Sequence, residues 1–331
     1  MTENATTQSD LFIGVDGGQT TTLTALATAG GEILSGFMTG PCDNIHEPGG
    51  LERQYNSLRQ GYEGVFANLG QPPGHLKGVY LGVTGSGHQS TIESVYDADQ
   101  ITFVQDVLTA LSGAIPSMNG LIIIAGTGSV AYGQNPAGQA AMAGGKGYYV
   151  SDEGSASDIA RLAFRAVFQA LDGRGPQTTL QQRLLDYYEC PDITELHRRV
   201  YGEYTRDRLA QAAGVVGQAA AEDGDAVAIA LLSQAGYELG RQVAAVLRRI
   251  DWLEKPVPIA PIGGVFRAGA LVTEPMMNHV HQTNPAAYLQ PPRFQPVVGA
   301  LLLAYRTAGL PITDAIIDNL DRTRHRLAPK T

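Results

Sequence analysis

Apolar positions along this chain come in two rhythms, short unbroken runs and longer stretches with helical spacing. The first run, Leu11 to Val15, ends on Asp16-Gly17-Gly18, and a second run begins after the hydroxyls Thr20-Thr21-Thr22. Two short β-favouring runs joined by Gly-Gly predict a β-hairpin. A third strand follows over Glu32 to Met38, and then a Gly/Pro-bounded loop from Gly40 to Gly50. Leu51, Tyr55, Leu58, Tyr62, Val65, Phe66 and Leu69 fall at helical intervals. Gly78 to Val83 reads as a buried strand running into Thr84-Gly85-Ser86-Gly87. Ile101 to Val104 reads as another, ending at Gln105-Asp106, where a helix over Val107 to Ala114 starts.

The opening theme then returns. Leu121 to Ala125 is an apolar strand, Gly126-Thr127-Gly128-Ser129 a glycine and hydroxyl turn, and Val130 to Gly133 a second strand. Gly144-Gly145-Lys146 and Ser151-Asp152-Glu153-Gly154-Ser155 precede a helix over Ala156 to Leu171, and Thr178 to Ile250 is helical almost throughout. Pro256 to Ile262 reads as the last strand, ending at Gly263-Gly264, and a helix near Gly299 to Thr307 follows. The repeated strand–turn–strand unit predicts an α/β protein of two related lobes with a nucleotide cleft between them. The expected division is a first lobe over 10–115, a second over 116–310 carrying a helical insertion, and a tail over 311–331. Arg322 to Lys330 reads as a solvated basic end.

Composition narrows the class. At 331 residues, 44% hydrophobic and 17% charged, the chain suits a globular protein with two cores. With 23 Lys and Arg against 32 Asp and Glu, the net charge of −9 argues against nucleic acid and acidic membranes as partners. No apolar run spans a bilayer, and Met1 to Asp10 lacks the pattern of a signal peptide. Cys42 and Cys190 match no metal spacing and read as free thiols in a reducing cytoplasm.

The turns carry the chemistry. Gly17 and Gly18 present no Cβ, so a phosphate can approach the backbone there, while Asp16 can hold a magnesium ion through water. No helix follows the first turn, which excludes the P-loop and the dinucleotide fingerprint. Asp106 stands at a strand-to-helix junction. Residue by residue it is either a helix cap or the acceptor of a hydroxyl proton. Asn44 and His46 sit in the Gly/Pro loop, where Asx-turns also account for them.

Taken together, Asp16-Gly17-Gly18-Gln19-Thr20, Gln105-Asp106, Gly126-Thr127-Gly128-Ser129, Gly144-Gly145, Ser151-Asp152-Glu153-Gly154-Ser155 and Gly263-Gly264-Val265 resemble the ordered motifs of N-acetylglucosamine kinases. These enzymes fall in the BadF/BadG/BcrA/BcrD ATPase family of the actin–hexokinase–Hsp70 superfamily, whose members have a two-lobed actin-like (ribonuclease H-like) fold. The resemblance implies ATP and Mg²⁺ as cofactors, an amino-sugar substrate phosphorylated at its 6-hydroxyl, and a homodimer. It places Gly18, Gln19 and Thr20 at the β- and γ-phosphates, Asp16 at the metal, and Gly126, Thr127 and Gly128 in a second phosphate turn. Gly217, Gly263 and Gly264 would flank adenosine, and Asn44, Ser129, Gly145 and Asp152 would hold the sugar. Asp106 would be the catalytic base. Glu153 reads as a cap or supporting residue, and Tyr148-Tyr149 as core packing.

Lys146 departs from the animal-type kinases, which carry Trp there. At the sugar's edge, where the resemblance places it, a mobile cation would either widen the acceptor range towards an acidic sugar such as N-acetylmuramic acid or pair with Asp152 or Glu153 and not meet substrate. The competing reading is an ATPase of the same family that activates a partner enzyme. Those activators bind an iron–sulfur cluster through cysteines, for which Cys42 and Cys190 lack the context.

Overall fold

The computed structural model describes residues 10–18, 20–42, 48–83, 89–203 and 205–327. Described residues within Met1–Met118 and Pro292–Thr331 form one compact unit, and Asn119–Pro291 forms a second. The chain therefore returns to its first unit after completing the second, so residues 292–310 pack with the first unit, not with the second lobe as expected.

In the first unit the order is β1 (Leu11–Gly17), β2 (Thr22–Thr28), β3 (Ile33–Thr39), α1 (Gly50–Ala67), β4 (Gly78–Val83), α2 (Gln89–Glu93), β5 (Ile101–Gln105) and α3 (Asp106–Ala114). The sheet runs β3-β2-β1-β4-β5. β1 is antiparallel to β2 and parallel to β4, which is parallel to β5. β1, β4 and β5 therefore end on the same edge, with Asp16 opposite Gly82 and Val83 opposite Gln105. Ligands of α/β sheets gather at that edge.

β1 is central and its side chains alternate between two cores. Phe12 packs with Ala25, Leu301 and Tyr305, whereas Ile13 and Val15 pack with Leu26, Leu58 and Val65 on the α1 side. Burying each such side chain contributes about 1.5–3 kcal/mol.

The second unit repeats the plan. It holds β6 (Gly120–Ala125), β7 (Ser129–Gln134) and β8 (Ala140–Gly144), followed by α4 (Ala156–Leu171), α5 (Leu180–Tyr187), α6 (Ile193–Gly202), α7 (Arg206–Ala210), α8 (Ala212–Glu222) and α9 (Ala226–Arg249). Then come β9 (Val257–Ile262), α10 (Ala270–His281) and β10 (Ala287–Leu289). Its sheet order is β10-β9-β6-β7-β8, with β6 antiparallel to β7 and parallel to β9. The two sheets thus share one connectivity, as the repeated motif predicted. None of the helices among the described residues is long and apolar enough to cross a membrane.

The chain ends in α11 (Pro296–Thr307) and α12 (Asp314–Thr323), both in the first unit. α11 crosses α3 with backbones touching: a Cβ on Gly299 would stand 1.9 Å from the Thr109 carbonyl oxygen. α12 corrects the expected tail. Thr313 caps it by accepting from Ile316 N–H, Ile316 and Leu320 are buried, and Thr323 Oγ1 accepts from Ile33 N–H at 2.9 Å.

β8, α10 and β10 were not expected, and Pro256–Ile262 is not the last strand. β8 is mostly alanine and glycine, which signal a strand weakly. α10 contains Pro275, and β10 has only 3 residues.

Candidate functional site

The first turn closes on itself. Gly18 N–H donates to Thr21 O at 2.9 Å, and Gly18 O accepts from Cys42 N–H at 3.0 Å. The Gly18 amide is therefore committed within the fold, and what the glycine offers a ligand is close approach. Gly17 is the last residue of β1, paired with Thr22, and Thr20 is exposed beside it. Gln19, Asn44, His46 and the Thr84 to Gly87 segment lie outside the described residues.

Asp16 and Asp106 come together at the carboxyl edge of this sheet, one at the end of β1 and the other opening α3 directly after β5. Asp106 is the first helical residue, and the capping position belongs to Gln105, whose side chain makes no capping bond. Part of the Asp16 surface is open, yet enough protein surrounds it to strip water from the carboxylate. That burial, with the Asp106 charge adding to it, pushes the Asp16 pKa from 3.8 up to about 7. No cation faces Asp16 among the described residues.

Two adjacent carboxylates, one of them desolvated, suit a divalent cation. The described residues contain no cluster of three or more metal-ligating side chains. Mg²⁺ is commonly bound by one or two carboxylates with substrate phosphates and water completing its shell. Asp16, at the end of β1, is a carboxylate that could hold such an ion.

The second turn is braced by charge instead. Gly126 N–H donates to Gly128 O and Gly126 O accepts from Ala156 N–H, which ties the turn to the start of α4. Gly128 lies tight against the loop that follows β8. A Cβ there would come within 2.9 Å of Asp152 Oδ2 and 3.1 Å of Arg206 Nη2. Asp152 is buried, and its φ of 67° is strained for a residue other than glycine. Arg206 Nη2 donates to Asp152 Oδ2 at 2.6 Å and to Thr127 O at 3.2 Å. Ser129 N–H reaches Asp152 Oδ1 at 3.4 Å.

Ser129 Oγ donates to Glu153 O at 2.8 Å and accepts from Gln242 Nε2 at 3.0 Å. Gln242 also donates to Glu153 O at 3.1 Å. Glu153 takes part through its carbonyl, and the cap of α4 is Ser155, which accepts from Asp158 N–H. Gly145 N–H donates to Ser129 O at 2.8 Å. Gly126, Thr127, Gly128, Ser129, Gly145 and Asp152 thus form one cluster.

Of three other expected residues, Gly263 packs against the start of the second turn, where a Cβ would stand 3.1 Å from Gly126 N, while Gly217 and Gly264 face open space. Gly217 is inside α8, Gly263 leaves β9, and Gly264 opens a 3₁₀ turn. Lys146 is exposed and forms no ion pair among the described residues. Tyr148 and Tyr149 correct the expectation of core packing: they are 42% and 86% exposed, and their rings meet at 4.1 Å, tilted by 32°. Arg206 and Gln242 escaped notice in the sequence. They lie 54 residues from Asp152 and 113 from Ser129, inside a helical stretch where nothing local marks them.

Comparison with known proteins gives three kinds of likeness. The model of the BadF/BadG/BcrA/BcrD ATPase family matches residues 13–304. The N-acetylmuramic acid/N-acetylglucosamine kinase of Clostridium acetobutylicum is 31% identical over 77% of this chain and 85% of its own. The N-acetyl-D-glucosamine kinase of Dictyostelium discoideum is 25% identical over 89% and 98%. Among solved structures, a candidate N-acetylglucosamine kinase from Chromobacterium violaceum has a TM-score of 0.75 at 27% identity, covering 89% of this chain and 99% of its own.

Proposed function

The chain belongs to the BadF/BadG/BcrA/BcrD ATPase family, and from that premise we propose that it is an ATP-dependent amino-sugar kinase acting on N-acetylglucosamine or a close relative. The observation that carries this reading is the Asp16–Asp106 pair at the carboxyl edge of the first sheet. Phosphoryl transfer asks little covalent chemistry of a protein. It needs phosphates held, charge neutralised, and an acceptor for the attacking hydroxyl's proton.

In this reading the sugar 6-hydroxyl oxygen bonds to the γ-phosphorus, the bridge to the β-phosphate breaks, and ADP leaves. The hydroxyl proton passes to Asp106. Asp16 would hold Mg²⁺, which when bound would supply neutralising charge at the phosphates. Gly17, Gly18, Gln19 and Thr20 line one phosphate turn, and Gly126, Thr127 and Gly128 the other. Gly217, Gly263 and Gly264 flank adenosine. Asn44, Ser129, Gly145 and Asp152 hold the sugar, with Ser129 and Asp152 already fixed by protein partners. Action as a homodimer in the cytoplasm, with Mg²⁺ required, belongs to the same proposal.

Burial of both cysteines favours the kinase over the partner-activating ATPase, because neither thiol is presented for a shared cluster. ADP release, followed by an enzyme-coupled assay with Mg²⁺, tests the choice. The expected result is ADP formation only when an amino sugar is present. Steady ATP hydrolysis indifferent to every amino sugar tried would overturn it.

A further inference from the structure

Beside Asp152 the second unit encloses a cavity of about 560 Å³ whose walls differ from those of the phosphate turns. Three arginines face it. Arg206 is neutralised by Asp152 and Arg161 by Asp158. Arg165 is exposed and makes no ion pair among the described residues, which leaves one uncompensated cation in the wall. Flat aromatic faces share that wall: the neighbouring Tyr148 and Tyr149, with the Arg206 guanidinium 5.0 Å over Tyr148, and Tyr201, 83% exposed.

Large exposed tyrosines with one free guanidinium suit a ring with an apolar face and an anionic substituent. The planar fork of arginine is built to take a carboxylate through two parallel hydrogen bonds. Resting on the kinase reading above, we propose that this cavity receives the carboxylate of an acidic amino sugar and that Arg165 reads it. The acceptor range then includes carboxylate-bearing sugars, and the discriminating residue is Arg165. Lys146, the cation that the sequence brought forward, does not line this cavity.

The test compares kcat/KM for N-acetylglucosamine and N-acetylmuramic acid in the wild type, Arg165→Met and Arg165→Lys. Arg165 is exposed, so both variants should fold, with circular dichroism as the check. Loss of a charge-assisted pair should lower kcat/KM for the acidic sugar by about 10- to 100-fold more than for the neutral one. Arg165→Lys should restore part of that difference, and added salt should shrink it. An unchanged ratio in Arg165→Met overturns the proposal, as does a wild type that phosphorylates only the neutral sugar.

Calorimetric titration with N-acetylmuramic acid separates this proposal from the kinase reading. Absence of transfer to either sugar defeats the kinase reading. Binding that disappears in Arg165→Met still supports the cavity, and no binding to the wild type refutes it.

Discussion

The two glycine turns are built on one plan and stabilised in opposite ways. Behind the first, Asp16 is desolvated next to another acid and titrates near 7, with no cation at hand among the described residues. Behind the second, the buried Asp152 meets Arg206, and Gln242 ties Ser129 to the Glu153 carbonyl. The first turn therefore keeps a desolvated carboxylate beside a second acid, an arrangement that a bound cation would relieve. The second arrives already neutralised. A site that must bind a metal nucleotide and accept a proton is served by the first condition, and one that must hold a substrate in fixed geometry by the second.

The strongest test of the comparison is at Asp106. Asp106→Asn keeps the shape and removes the proton acceptor, so kcat should fall by about 10²–10⁴ while the fold survives. Relieving Asp16 of its acidic neighbour should leave ATP affinity equal or improved. A variant with near-normal turnover would show that the acid pair serves metal binding alone.

Arg206→Met examines the other side. It leaves the Asp152 carboxylate buried without its ion partner and the Thr127 carbonyl with only the Ser157 hydroxyl as donor, at a cost of about 3 kcal/mol or more in stability. Denaturant unfolding should show the loss, and KM for the sugar should rise as the Asp152 segment relaxes. If stability is unchanged, the second turn does not depend on charge pairing and the contrast fails.

How much of this was legible in the sequence follows from distance along the chain. The paired turns, the strands beside them and Asp106 were readable because strand, glycines and acid are contiguous. Arg206 and Gln242 were not, since an arginine or glutamine on an amphipathic helix looks solvated until the helix is placed. α12 was passed over as tail because its apolar residues are few and its company basic; Ile316 and Leu320 matter only once β3 lies beneath them. Tyr148-Tyr149 misled in the reverse sense. Adjacent tyrosines beside a glycine loop suggest packing, yet here they stay in water along a cavity wall.

The smallest expected effect sharpens the contrast away from both turns, at Asp225. Like Asp16 it is a desolvated carboxylate, but neutral donors surround it. Burial alone would raise its pKa; hydrogen bonds from the Ala228 and Thr179 amides and from the Thr178 and Thr179 hydroxyls outweigh that, and the group titrates below its ordinary 3.8. A depressed pKa means that the folded state favours the ionised form. Its contribution is therefore complete above the unfolded value and fades as pH falls through the folded one. Asp225→Asn keeps one capping acceptor and loses the charge, so it should cost about 1 kcal/mol at neutral pH. The gap between wild type and variant should narrow between about pH 5 and pH 3. Paired thermal melts across that range read it directly. A gap constant with pH would mean that shape and not charge holds this junction.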